Sequence, residues 1–484
     1  MAPASDRLER SSVVALVAMA LAVFVVANDV TALSVALPAI ESDLDADVGT
    51  AQWVISAYAL IFGVLIVPGG RLADLVGRRR VFFAGAAIFA TFSVLGGLAP
   101  DAWVLIACRA LMGIGGALMW PATLGMTYSI LPTRAALAGG LIIGAAGFGN
   151  AAGPLIGGVL TDALSWRWIL FLNLPIAAVA CLVTWRAVPE SRGDEVERRF
   201  DYLGVATLSS GLIALLIALD EVDTYGWGSP WILALLALCA VLLAVFALHE
   251  RRAGQWALVP RDVISNRPFA AACLAILLMS PTFFVALVYL PQFMQKILGY
   301  SPVEAGLGLL PMMGVFALVS FAAGPLYERL GPRPVLAAGA ACLVAGPALI
   351  SLIETGDSWA QLVPGMVVLG AGVGLFYSAI TTTAVTALDP SRSSLAGGII
   401  YMFQVAGGSV GLGLATTVFT ARAGDGLSSS VERVMRDAFE SGFQTMFLLV
   451  AALALAGLVV TVLFVGRAPK GVDGGGRLAR APRS

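Results

Sequence analysis

Asp29 and Arg109 each stand in a long run otherwise free of charge, so the first chemistry the sequence offers is that of a proton and an ion pair. A carboxylate at membrane depth costs several kcal/mol unless it is protonated, paired or hydrated, which makes such a residue a functional candidate by default. Asp29 lies about 12 Å below the outer end of its run, taken at Leu37, and Arg109 lies about 9 Å below Trp103, both at 1.5 Å rise per residue. Those depths nearly coincide. The expected chemistry is uptake of a proton by Asp29 from the outer side, with Arg109 or a substrate favouring the ionised form in another conformation. The competing reading is structural: a hydrogen-bonded Asp29 and a fold-stabilising Arg109.

Residues of this kind need a scaffold whose solvent is lipid. Of the 484 residues 59% are hydrophobic and 12% charged, against about 45–50% and about 25% in soluble domains. Apolar stretches long enough to span a bilayer fall near 13–37, 51–69, 81–99, 103–126, 137–160 and 168–186, then 203–219 and 230–248, then 269–292, 303–325, 334–353, 361–386, 394–419 and 443–465. The first is too long for the apolar region of a signal peptide and reads as a span. The expected class is an all-α integral membrane protein of fourteen transmembrane helices.

Lysine and arginine gather in alternate loops, which predicts that both termini are cytoplasmic. The outer side then holds only Arg167, Lys296, Arg422, Arg433 and Arg436, while its loops carry Glu41, Asp43, Asp45, Asp47, Asp220, Glu221 and Asp223. A net charge of -1 gives no field for nucleic acid. The five cysteines lie unpaired in apolar runs, so neither a disulfide framework nor a zinc site is indicated. Nothing resembles a nucleotide-binding loop, a metal cluster or a nucleophile with its base, so no ATP, cofactor, metal or enzymatic activity is expected. His249, beside Glu250, Arg251 and Arg252 in a cytoplasmic loop, reads as a solvated residue rather than a pH sensor. Ser429 and Glu432 have capping-box spacing before an amphipathic stretch to Phe443, expected to lie flat on the outer surface.

The chain repeats itself. GRLADLVGRRRVFFAGAA from Gly70 recurs as GPLYERLGPRPVLAAGAA from Gly324, and PTRAALAGGLI from Pro132 recurs as PSRSSLAGGII from Pro390. Spans one to six and nine to fourteen are therefore two parallel copies of one unit, with a cavity expected between them. The expected division is 1–190 for the first six-helix bundle, 191–265 for two inserted helices with cytoplasmic linkers, and 266–484 for the second bundle and tail. Thr282 and Met366 stand in the second copy where Asp29 and Arg109 stand in the first, an asymmetry that speaks against purely architectural roles.

Six motifs carry a family resemblance over nearly the whole chain. GRLADLVGRRR (Gly70 to Arg80) resembles the loop 2-3 signature of the major facilitator superfamily, and LIACRALMGIGG (Leu105 to Gly116) its fourth-span arginine motif. GNAAGPLIGG (Gly149 to Gly158) is similar to the fifth-span antiporter pattern, and NDVTALSVALP (Asn28 to Pro38) to the first-span pattern of the fourteen-span branch. WRWILFLNLP from Trp166 and QWVISAY from Gln52 agree. The resemblance to the fourteen-spanner drug:proton antiporters implies the major facilitator fold and proton-coupled efflux of small hydrophobic or monocationic drugs. Protons would be the coupling ion and the plasma membrane the location, with the protein working as a monomer. A dedicated exporter of one endogenous product and a non-transporting sensor are the alternatives.

Further residues then take expected roles. Gly70, Asp74, Gly77, Arg78 and Arg79 would form a cytoplasmic gate, with Asp74 facing a helix N-terminus of the opposite half in the outward-open state. Arg78, Arg79 and Arg80 also satisfy the positive-inside rule, so topology alone could explain them. Gly149, Gly153 and Gly157 make a smooth helix face beside Pro154 and Gly158, suited to close packing. Candidates for a substrate cavity are Asn28, Tyr58, Trp120, Asn150, Tyr289, Gln292, Phe376, Tyr377 and Gln404, any of which could instead pack between helices.

Overall fold

A computed structural model describes residues 10–191, 200–354, 356–424 and 432–465. The helices are α1 (Arg10–Asp43), α2 (Val48–Val76), α3 (Arg78–Gly97), α4 (Ala102–Ile130), α5 (Ala135–Ala163), α6 (Arg167–Ala187), α7 (Tyr202–Tyr225), α8 (Pro230–Ala253), α9 (Arg261–Ile264), α10 (Arg267–Met279), α11 (Pro281–Lys296), α12 (Pro302–Gly308), α13 (Leu310–Leu330), α14 (Pro332–Ile350), α15 (Trp359–Thr386), α16 (Ser393–Ala423) and α17 (Glu432–Phe464). Among the described residues fourteen helical stretches are long and apolar enough to cross a membrane. The sequence places all fourteen, because each is an unbroken apolar run between polar turns. It does not place the breaks. The ninth span divides at Ser280, where Pro281 starts a new helix, and the tenth at Leu309, ahead of a proline at Pro311.

Helices α1 to α6 form one bundle and α10 to α17 another, with the same neighbours in each copy: α2 and α3 pack on α4 as α13 and α14 pack on α15. The bundles meet along α5 with α13 and along α2 with α16, which are equivalent pairs under the repeat. Tight glycine contacts set these seams. A Cβ on Gly70 would lie 2.6 Å from the Ser394 carbonyl oxygen, and one on Gly140 would lie 2.8 Å from that of Ser320.

Helices α7 and α8 pair through a small core of their own, Ala214, Ala218, Val222, Ile232, Leu235 and Cys239. Helix α7 packs on α2 and α16 at the seam, where Trp227, just beyond its end, donates its indole N–H to Thr417 of α16 at 2.7 Å. The amphipathic stretch after Ser429 differs from expectation. From Glu432 it is one continuous helix with the last span, because Phe439, Phe443 and Phe447 form a buried stripe stacked against Phe293 and one another. Ser429 itself lies outside the described residues, as do residues 1–9 and 466–484.

Candidate functional site

Asp29 is fully buried where α1 faces α2, α4 and α6. What brings α1 there is the small-residue face of α5. A Cβ on Gly153 would sit 1.9 Å from Thr31 Oγ1 and one on Gly157 would sit 2.2 Å from the Ala32 carbonyl oxygen. Only glycine permits that approach. Gly149 meets the backbone of Phe24 and Asn28 in the same way, whereas a Cβ on Gly158 would make only ordinary van der Waals contact with Val303, at 3.7 Å.

The carboxylate is fully engaged. Arg109 Nη1 forms an ion pair with Asp29 Oδ2, and Asn173 Nδ2 of α6 donates to Oδ1 at 2.7 Å. Asn173 also reaches Ser93 Oγ of α3 at 3.1 Å, and that hydroxyl donates to the Leu170 carbonyl at 2.7 Å. Arg109 is held from two further directions. Its Nε donates to the Val54 carbonyl of α2 at 2.9 Å, and the Tyr58 ring lies 4.5 Å beneath its guanidinium, in cation–π range. Asp29, Arg109, Asn173 and Ser93 all have zero exposure. A buried pair of this kind cannot lose one charge without leaving the other unpaired, a cost of about 3–5 kcal/mol. Protonating Asp29 therefore favours any rearrangement that rehouses Arg109.

The turn between α2 and α3 forms a second cluster, at the end of the molecule where most arginines lie. Gly77 takes φ +127°, a conformation open to glycine, and starts α3. Asp74, fully buried one turn earlier, accepts Arg78 Nε at 3.0 Å. It also accepts the backbone N–H groups of Leu395 at 2.8 Å and Ser394 at 3.4 Å, in the first turn of α16. An anion on a helix N-terminus is stabilised by the unpaired N–H groups and the helix dipole, by about 0.3–2 kcal/mol. Arg78 extends the bridge to the Pro390 carbonyl at 2.9 Å and to Ser129 Oγ at 2.6 Å. Arg79 stays within its own bundle, bound to the Val188 carbonyl and Glu190, and Arg80 is exposed. The basic run thus divides by direction: Arg78 points inward to the seam while its neighbours serve the surface.

At the opposite end a cavity of about 530 Å³ opens between α2, α7, α11 and α16. Trp53, Phe284, Tyr289 and Phe419 give it aromatic walls; Ser56, Gln292, Ser409 and Thr416 give it neutral polar groups. Tyr289 donates its hydroxyl to Thr416 at 2.8 Å. Among the described residues no acidic or basic side chain lines it.

Of the cavity candidates, Tyr289 and Gln292 line this space and the others do not. Tyr58 belongs to the Arg109 site, and Asn28 is buried against α5. Trp120 packs across the seam on Tyr401 at 4.8 Å, and Phe376, Tyr377 and Gln404 are buried within the second bundle or at the seam. Asn150 is half-buried away from the lining. Periodicity gave no depth or facing for these residues, since both faces of such helices are apolar. The sequence reading missed Asn173, although it is the amide in the otherwise apolar stretch from Trp168 to Pro175, and that polarity was the available signal. His249 is not a solvated loop residue: it is helical, bonds Asp201 at 2.9 Å and stacks edge-on near Trp256.

A family model described as Major Facilitator Superfamily matches residues 19–412 and again 273–483, spanning both bundles. The chain belongs to that superfamily. Major facilitator proteins are transporters, and this one spans the membrane many times. Its relatives include the puromycin resistance protein pur8 of Streptomyces alboniger, 35% identical over 84% of this chain and 81% of that one. The tetracenomycin C resistance and export protein of Streptomyces glaucescens is 30% identical over 85% and 76% respectively. The multidrug resistance protein Stp of Mycobacterium tuberculosis is 32% identical over 89% and 80%. Among solved structures, the human organic anion transporter MFSD10 superposes with a TM-score of 0.65 at 15% identity, covering 94% of this chain and all of that one, a likeness of fold alone.

Proposed function

We propose that this major facilitator protein exports small hydrophobic or monocationic drugs across the plasma membrane in exchange for protons. The observation that carries the reading is the buried Asp29–Arg109 pair, a neutral unit that one proton converts into an uncompensated cation. The names of the relatives, for resistance to puromycin, tetracenomycin C and multiple drugs, support export as the direction.

In this reading the arginine-rich end and both termini are cytoplasmic, and the Asp74 latch closes that end while the aromatic cavity faces outward. Drug and proton communicate through α2. Trp53 and Ser56 face the cavity, while the Val54 carbonyl and Tyr58 hold Arg109 on the far side of the same helix. Protonation of Asp29 from outside releases Arg109 from α1, α2 shifts, and the bundles rock toward the inward-facing state. Several buried polar groups near the seam, Trp120 Nε1, Thr123 Oγ1, Tyr377 OH and Ser378 Oγ, have no partner in the present arrangement and gain water when the seam opens. The bundle repeat, with the inserted pair between 191 and 265, supplies the two rocking units, and one copy of the chain contains every part named.

The relatives named for single antibiotics favour a second reading, a dedicated exporter of one product. An efflux assay separates the two. Cells lacking their own pumps and expressing this chain should extrude ethidium and structurally unrelated dyes when energised, and a protonophore should abolish it. Extrusion of one compound only would favour the dedicated exporter, and extrusion that survives the protonophore would contradict proton coupling.

A further inference from the structure

Asp201 precedes α7 and Glu250 lies near the end of α8, so the inserted helices bring two carboxyl groups together at the arginine-rich end. Both are buried, with 2% and 4% exposure. Each has donors for its other positions. Asp201 Oδ1 caps α7 by accepting the Gly204 N–H at 2.8 Å and faces His249 Nε2 at 2.9 Å. Glu250 accepts the backbone N–H groups of Leu258 at 3.1 Å and Val259 at 3.2 Å.

What remains is Asp201 Oδ2, buried and without a hydrogen-bond donor, while the two carboxyls lie within hydrogen-bonding reach of each other. Asp201 Oδ2 and Glu250 Oε1 lie 2.3 and 2.9 Å from one common point above Gly204. Two ionised carboxylates are acceptors only and repel at this range; a single shared proton turns the contact into a hydrogen bond. Among the described residues no group of three or more His, Cys, Asp or Glu side chains could hold a metal ion.

We propose that Asp201, His249 and Glu250 form a proton-binding site on the cytoplasmic side, separate from Asp29, in which one proton lies between the two carboxyls. His249 is the chain's single histidine and, with 18% of its side chain exposed, is the member within reach of water. It passes the proton to the pair from the cytoplasm.

The site is wired to the gate. The segment that Glu250 holds by Leu258 and Val259 leads into α9, where Asp262 pairs with Arg392, just ahead of α16. Asn266 ties the same segment to the Ala387 carbonyl at the end of α15, at 2.7 Å. Burial works to raise the Asp262 carboxyl, but the hydrogen bond and charge of Arg392 outweigh it, so the carboxyl titrates below its ordinary range and the tether stays ionised at cytoplasmic pH. Arg71 of α2 lies in the field of Asp74, Glu250, Asp262 and Arg392 together, and Trp256 and Asp201 are the neighbours of His249. Loss of the shared proton leaves two like charges in contact, loosens the Leu258–Asp262 segment, and so favours opening of the Asp74 latch as the cytoplasm becomes alkaline.

Infrared difference spectra of the full-length protein in lipid, recorded across a pH step, read the shared proton directly. Asp201→Asn keeps the Oδ1 acceptor and places an amide N–H where the proton would lie, so it preserves the contact without titrating. The expected result is a protonated-carboxyl band that is lost in Asp201→Asn and in Glu250→Gln and retained in Asp29→Asn. Each of the two insertion variants reads the band on its own if the other does not accumulate. Spin labels at positions 252 and 391, in a background without native cysteines, read the coupling. The distance should widen on alkalinisation in the wild type and stay short in Asp201→Asn. A band unchanged in both insertion variants, or a distance that does not respond to pH in the wild type, overturns the proposal.

Discussion

Asp74 and Leu395 lie more than three hundred residues apart in sequence, yet the carboxylate of one accepts the backbone N–H of the other at 2.8 Å and so joins the two bundles at one end. Arg78 shares that carboxylate and is itself almost completely buried. Replacing Asp74 by Ala removes one partner of a buried charge pair, which costs the latched state about 3–5 kcal/mol. Spin labels on the arginine-rich ends of α2 and α16 should separate in Asp74→Ala and export should fall at least tenfold; an unchanged distance would show that the latch does not hold this end shut.

The glycines of α5 make opposite forecasts. A methyl group at Gly157 meets the Ala32 backbone, which cannot move without shifting α1, whereas one at Gly158 has room. Gly157→Ala should cost about 1–3 kcal/mol from overpacking and lower the melting temperature measurably, while Gly158→Ala should be close to neutral in both stability and transport. Thermal melts in detergent would compare them.

Asn173 is the neutral donor to Asp29, and a hydrogen bond to a charged group contributes about 1.5–3 kcal/mol. Asn173→Leu should reduce the maximal export rate roughly tenfold or more and leave the concentration of drug needed for half-maximal rate nearly unchanged, since residue 173 does not line the aromatic cavity. A rise confined to the half-maximal concentration would move Asn173 from the proton site to the drug site.

In the cavity, Trp53 offers an aromatic face and Gln292 a neutral amide, and among the described residues no carboxylate lines it. Trp53→Ala should weaken export of flat aromatic compounds by about 1–2 kcal/mol in apparent affinity, and Gln292→Ala should act on hydrogen-bonding substrates more than on purely apolar ones. Competition assays with a dye panel would separate these effects.

What could be read from the sequence follows from what lipid enforces. Spans and repeat were legible because a bilayer demands long apolar runs, and Asp29 and Arg109 stood out because charge is rare in such runs. Asn173 was not legible, since a lone amide in an apolar run declares no partner. The cavity list was mostly displaced because Trp120, Phe376 and Tyr377 carry the same residue types whether they face a cavity or a neighbouring helix. The Asp201–Glu250 contact depends on two loop-proximal ends meeting, and no local pattern encodes that.

The most direct measurement is proton movement in liposomes that hold the purified protein and a pH-sensitive dye. With a proton gradient imposed and ethidium added, the wild type should move protons in a drug-dependent way and Asp29→Asn should not. Drug-dependent proton flux that persists undiminished in Asp29→Asn would contradict the assignment of Asp29 as the coupling carboxylate.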